Sequence, residues 1–314
     1  MILQRLTNPV IINEMRTRMR GRRAYVILTL YLLVLSCSAG TLYSSIYTDS
    51  QGSQYDMYDL STPNLQDGPT TGKAIFAGTI FFLLILVSHL APAFTAASIS
   101  GERERQTYEV LIVTPLKAQQ IIWGKLGAVF LFLLLLILTS LPVQSLAFLF
   151  GGVELTELMI AAMMLMVTTL AFGALGLYIS SLNRTAIISI VATYSILLPF
   201  IYGLPFLVLT GWSFTLPFAA LLGSQQFETL VTIYGIFMAY VSGFLLSINP
   251  FSAAILTLVA ATNGQGYFFF TQSINNNISI PLVSPWIIYV IFYIFVTWGL
   301  IRLTMRQLNH ISNY

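Results

Sequence analysis

Long apolar runs separated by short polar breaks dominate the chain, and the runs have the length that crosses a bilayer. About 20 predominantly apolar residues suffice for a helix to span the hydrocarbon core. Six runs meet that length, at 24–46, 74–98, 121–150, 155–181, 186–210 and 286–304. The pattern predicts an all-α polytopic membrane protein with six transmembrane helices, all within a single domain over 1–314. The first run is too long for the apolar region of a cleavable signal and follows a polar start, so it reads as a retained span.

The stretch 211–285 departs from this simple alternation and contains no Lys or Arg. Residues 229–248 have spanning length, but Asn249-Pro250 breaks the run, and the apolar piece at 251–261 is too short to return unaided. An even number of crossings keeps the basic ends of the chain on one side. Residues 213–262 are therefore expected to form re-entrant or outer-leaflet helices before the sixth span. An additional hairpin giving eight spans is the alternative. Backbone that is not helical at that depth must be buried in protein or line water.

The polar breaks carry their own patterns. In 1–23, Asn8-Pro9 has the form of an N-cap followed by proline at the first helical position. Val10, Ile11, Met15 and Met19 recur at helical spacing, while Arg16, Arg18 and Arg20 take other faces. That combination predicts an interfacial amphipathic helix. Residues 47–72, rich in Ser, Thr, Asp, Gly and Tyr, read as an external loop. At 101–115 five charges crowd into eight residues: Glu102, Arg103, Glu104, Arg105 and Glu109. Ser100-Gly101 permits a turn out of the second span, and the acids fall in the first turn, where a helix's positive end favours them. Tyr108, Leu111 and Ile112 then share one face, and Pro115 ends the helix. The expected product is a short amphipathic rod across the ends of spans two and three, suited to receive a partner's movement. A solvated loop whose charges only set topology is the alternative.

Composition sharpens this picture. Only 8% of the 314 residues are charged, against about a quarter in soluble domains. With six crossings, thirteen of the fourteen basic residues lie on one side, and Lys73 is the exception. Basic residues are retained at the cytoplasmic face, which predicts cytoplasmic termini and a cytoplasmic 101–115 segment. The net charge of +3 is too dispersed to suggest nucleic acid. Cys37 is the sole cysteine, so neither a disulfide framework nor a cysteine-based metal site is expected.

The run Gly101-Glu102-Arg103-Glu104-Arg105-Gln106-Thr107-Tyr108-Glu109-Val110-Leu111-Ile112-Val113-Thr114-Pro115-Leu116, with Gly124-Lys125 beyond it, closely resembles the cytoplasmic coupling segment of ABC-2-type transporter permeases. Asn8-Pro9-Val10 with Glu14 and the following arginines is similar to that family's N-terminal interfacial helix. Asn249-Pro250-Phe251 resembles a motif carried before the last span. The apolar 213–248 stretch is longer than the family pattern.

The resemblance implies a transmembrane subunit that pairs with a second copy or a paralogue and docks onto two cytoplasmic ATPase subunits. It implies export of a hydrophobic or amphipathic compound, lipid, glycan or peptide across a prokaryotic cytoplasmic membrane, with membrane lipids as surroundings. The implied ATPase-contacting residues are Glu102, Arg103, Glu104, Arg105, Thr107 and Glu109, with Leu111 and Ile112 packing on the spans or in the ATPase cleft. ATP and Mg would be bound by the partner, and no cofactor by this chain. In agreement, Gly72-Lys73 and Gly124-Lys125 lack the upstream glycine and following Ser/Thr of a phosphate loop.

Other signals are weaker. His89 is ionisable within a span, which is by default a functional hypothesis, but a neutral histidine bonded to backbone explains it as well. Pro92 is expected to kink the second span. Gly173, Ala174 and Gly176 give the fourth span a face that permits close helix approach. Aromatics at 200–218 and 267–270 read as an interfacial belt or as an outer gate formed by Phe206, Trp212, Phe214 and Phe268. No catalytic or metal-ligating constellation emerges. The competing class, an ion-coupled secondary transporter or channel, usually needs charges inside the membrane, whereas this chain keeps nearly all of its charges at the loops.

Overall fold

The structure, a computed structural model, describes residues 11–12, 14–16, 22–52, 67–107, 118–211, 228–264, 266–275 and 278–312. Helices dominate, in the order α1 (Arg22–Gly52), α2 (Asp67–Ala96), the short α3 (Ser100–Glu104), α4 (Ala118–Thr139), α5 (Leu141–Phe150) and α6 (Leu155–Leu182). Then come α7 (Ala186–Leu198), α8 (Glu228–Ile248), α9 (Pro250–Thr262), strands β1 (Phe269–Asn275) and β2 (Ile278–Val283), and α10 (Pro285–Ser312). Among the described residues five helices are long and apolar enough to cross a membrane, or six if the bent α8–α9 pair counts as one. The helices over 74–98, 121–150, 155–181, 186–210 and 286–304 lie where the apolar runs predict them. The first run, 24–46, falls within α1, whose apolar segment Leu28–Thr41 is shorter. Hydroxyl residues thin that helix's apolar character, and the helix itself absorbs them. Ser38 donates to Leu35 O at 2.8 Å, Thr41 to Ser38 O at 2.9 Å and Ser44 to Thr41 O at 2.9 Å, so none needs another partner.

The chain divides into two compact units, residues 1–190 with 299–314, and residues 191–298. In the first unit α2 is the central helix, packed on α1, α4, α5 and most extensively on α6. The α2–α6 seam is close because α6 presents glycine. A Cβ at Gly176 would collide with Thr95 Oγ1 and come within 3.2 Å of the Pro92 carbonyl. The small-residue face of the fourth span is therefore used inside the chain. Pro92 sits within α2, and Thr95 donates its hydroxyl to Ala91 O at 3.0 Å, so that the turn around the proline keeps a local partner. His89 Nδ1 lies 2.8 Å from Ile85 O, one turn back in its own helix, which accounts for it without a functional role. Tyr31 of α1 donates across to Leu136 O of α4 at 3.0 Å, just before Ser140 separates α4 from α5.

The second unit adds a feature beyond the helices expected over 213–262. Residues 269–275 and 278–283 pair as the two antiparallel strands of a hairpin, with Phe269 opposite Val283, Phe270 opposite Leu282 and Gln272 opposite Ile280, and a register shift between Ser273 and Asn275. Aromatic and β-branched residues favour extended backbone, and Pro281 is tolerated because a two-stranded sheet has only edges. Trp286 at the start of α10 fixes the base of the hairpin by donating Nε1–H to Tyr267 O at 2.7 Å. The helices α8 and α9 meet at 115°. Asn249 makes that corner, and it is fully buried. Its Oδ1 accepts from the amides of Phe251 at 3.0 Å and Ser252 at 3.2 Å, capping α9. Its Nδ2 donates to the carbonyls of Phe200 at 3.0 Å and Ile201 at 2.7 Å. Those carbonyls belong to a π-helical turn, Pro199–Gly203, through which α7 continues to Gly211.

Two outcomes follow from this packing. Gly176→Ala should lower the stability of the detergent-solubilised protein by about 1–3 kcal/mol, the cost of overpacking a tight contact. Gly40→Ala, where no atom lies within 4 Å of the added Cβ, should not, and equal thermal unfolding of the two variants would exclude the seam as described. At Asn249, an acid that preserves the cap but loses both donors separates the residue's two jobs. Asn249→Asp should be no more stable than Asn249→Ala, each losing about 1–3 kcal/mol from unpaired buried groups. An Asp variant as stable as the parent would show that capping alone matters.

Candidate functional site

The segment 100–107 is held to the helix ends around it by backbone and side chain alike. Ser180 of α6 points its hydroxyl at the start of α3, accepting from the amides of Ile99 at 3.0 Å and Ser100 at 2.9 Å. The Ser100 and Ser180 hydroxyls lie 3.1 Å apart, and both residues are fully buried. A helix start leaves amides without intrahelical acceptors, and here a neighbouring span supplies the acceptor that a local N-cap would ordinarily provide. Beneath this junction Ile99, Ile122, Leu126, Ala174, Leu177 and Ile301 form one apolar cluster.

The rod expected over 101–115 is interrupted. The α3 helix closes after one turn, with Gln106 N donating to Arg103 O at 3.1 Å and Thr107 N to Glu102 O at 3.0 Å. That pair of bonds is the Schellman closure, which requires a left-handed residue between them. Gln106 takes that conformation at φ 59°. The usual occupant is glycine, because a Cβ costs roughly 1–2 kcal/mol there. With glutamine in its place, the residues give no stop signal before Pro115, and the early end is set by the fold. Glu109, Leu111 and Ile112 lie outside the described residues.

Three of the charges expected to face a partner are engaged within the chain. Glu102 Oε1 lies 2.6 Å from Lys125 Nζ of α4. Arg103 Nη1 donates to Asn183 O at 3.3 Å, and Glu104 Oε2 accepts from Ala186 N, the first amide of α7, at 3.0 Å. Carboxylates suit helix N-termini electrostatically. Arg105, Gln106 and Thr107 complete the turn and are exposed.

Lys125 is the least expected member. As a charge near the edge of an apolar run it reads from sequence as a topology determinant, yet its side chain is 4% exposed. Its ammonium also bonds Ser98 O at 3.1 Å and Glu14 Oε1 at 3.3 Å. A lysine inside an apolar run is costly unless paired, so its position in 121–150 was the available signal. Ser180 and Asn183 carried none. A cavity of about 670 Å³ opens beside these groups, lined by Glu14, Phe94, Ser98, Glu102, Arg105 and Lys125 among others.

The remaining candidates scatter. Arg16 is helical and exposed, while Arg18, Arg20 and the Asn8-Pro9 cap lie outside the described residues. Of the aromatic gate, Trp212 and Phe214 also lie outside them. Phe206 and Phe268 are both exposed, and Phe268 pairs with Trp286 at 6.0 Å between ring centroids. The structure shows no ring contact between Phe206 and Phe268. Among the described residues no group of three or more His, Cys, Asp or Glu could hold a metal ion.

The segment is thus tied to three successive spans, with its turn left exposed. A family model described as ABC-2 family transporter protein matches residues 9–303. The chain belongs to this family. No curated protein matches it. ABC-2 membership makes the chain a multi-pass membrane component of an ABC transporter, distinct from the ATPase itself, and implies association with ABC ATPase subunits. In this ABC-2 protein, Ser180→Ala leaves the Ile99 and Ser100 amides buried with no acceptor. It should cost about 1–3 kcal/mol and accelerate hydrogen exchange at those two amides. Unchanged exchange there would show that the hydroxyl is not the cap.

Proposed function

We propose that the chain is the permease subunit of an ATP-driven exporter, powered by a separate ATPase that docks on the 100–107 segment and its continuation toward Pro115. One observation carries this reading: α3 is tied to α4, α6 and α7 through Glu102, Ser180, Arg103 and Glu104, while Arg105–Thr107 stand exposed. A push on the exposed turn would be passed to three spans at once. A solvated loop that merely sets topology needs neither the interhelix cap nor the left-handed Gln106. Residues held in such sparsely populated backbone regions concentrate at functional sites.

The rest of the reading follows the chain's charge and composition. The basic residues place both termini and this segment on the cytoplasmic side of a prokaryotic membrane. Six crossings count α1 as the first, with the α8–α9 pair re-entering from the outer side. ATP and Mg are bound by the partner, and two permease chains with two ATPase subunits complete the transporter. The cargo is hydrophobic or amphipathic, in keeping with spans that keep nearly all ionisable groups at their ends. The exposed aromatics, Phe206 and Phe268 among them, form the outer exit.

The deciding experiment is purification of the tagged chain from its own membrane, with the bound proteins identified by mass spectrometry. A nucleotide-binding subunit with ATP hydrolysis in the isolated complex is expected, and its consistent absence would sink the proposal. Arg105→Glu combined with Thr107→Lys should weaken recovery of that subunit at least about tenfold, a change worth about 1.4 kcal/mol. Wild-type recovery would move the docking surface elsewhere.

A further inference from the structure

Lys125 of α4 joins two stretches of chain that are distant in sequence, the α2–α3 junction and the N-terminal residues around Glu14. Its ammonium carries three protons, and the three acceptors come from the end of α2 (Ser98 O), from α3 (Glu102) and from the helical residues near the N-terminus (Glu14). Glu14 is 111 positions away in sequence. The approach of that N-terminal helix to α4 is reinforced one turn from the ion pair, where a Cβ on Gly127 would lie 3.2 Å from Ile11 Cδ1. Glycine at 127 lets Ile11 sit against the α4 backbone, and Lys125 then reaches Glu14.

The Lys125 ammonium is shared by two carboxylates, and the second oxygen of Glu102 is buried without a hydrogen-bond partner. Around an ammonium that is itself buried, each carboxylate's hold depends on where the other sits, because the interaction falls with distance. Moving Glu102 therefore alters the grip on Glu14. Ion pairs with one member buried are weak evidence for stability, and the best-attested use of such pairs is to fix a register or a switch.

We propose that Lys125 is a positioning residue that relays displacement of the 100–107 segment to the N-terminal interfacial helix, so that this helix responds to the nucleotide state of the ATPase. The inference rests on the reading that an ATPase docks on that segment. Ser98 holds the lysine to the end of α2, Glu102 delivers the movement, and Glu14 receives it.

The test uses the intact complex in lipid nanodiscs. Hydrogen exchange is followed on peptides covering residues 8–20, without nucleotide and with ATP plus vanadate. In the wild type the protection of these amides should differ by about tenfold between the two states. Glu14→Gln keeps the Glu102–Lys125 bond and removes only the charge on the receiving side. It should reduce the difference to less than about twofold with the ATPase still bound. Lys125→Met should do the same, and Lys125→Arg, whose fork serves two carboxylates, should retain the response. A full response in Glu14→Gln, or none in a wild-type complex that contains the ATPase, would overturn the relay alone. A purified transporter without any ATPase would overturn both this and the proposed function.

Discussion

At Gly176 the missing side chain lets α6 lie against the backbone of α2 at the level of Pro92 and Thr95, and the arrangement of the 100–107 segment follows from that approach. One helical turn further along α6, Ser180 arrives where α2 ends, close enough to accept from two amides at the start of α3. A bulkier residue at 176 would force the helices apart, and the hydroxyl would no longer reach. Without the acceptor, a one-turn helix loses part of what offsets its nucleation cost, since isolated helices of a few residues do not persist. The backbone seam and the short segment are thus one structure.

Around this seam most buried polar groups find partners, as buried donors and acceptors generally do, the second Glu102 oxygen being an exception. What distinguishes the 100–107 segment and Lys125 is the sequence distance those partners span. Arg103 and Glu104 reach residues 183 and 186, and Lys125 reaches residues 14, 98 and 102. Elsewhere in the first unit many hydroxyls bond within their own helix, as Ser38, Thr41, Thr168 and Thr169 do. Local bonds leave helices free to slide on one another, whereas distant ones bind them together. In the second unit Asn249 plays the comparable part, joining the corner of α8 and α9 to the widened turn of α7. π-turns occur frequently at functional sites, and here the turn presents two carbonyls to a buried amide.

The apolar runs, the basic residues at their ends and the charged cluster at 102–109 were legible because each is a local property of the chain. Hydrophobic length determines where a helix can cross, and no tertiary contact is needed to see it. The same locality explains the failures. Gln106 has no intrinsic tendency to end a helix, so the early end of α3 could not be read from it. The hairpin at 269–283 went unseen because its four consecutive aromatics, Tyr267 to Phe270, read equally as an interfacial belt, and short strands give a much weaker signal than spans.

Sequence by itself therefore determined the membrane class and the placement of most of the long apolar helices. Only the tertiary structure decided which of the clustered charges are engaged inside the chain, that α3 is a single turn, and that Lys125 is a buried joint instead of a topological marker. The physical reason is that hydrophobicity and charge are additive along a chain and can be summed residue by residue. The pairing of an ammonium with carboxylates 23 and 111 positions away depends on which helices approach, and that is settled by packing.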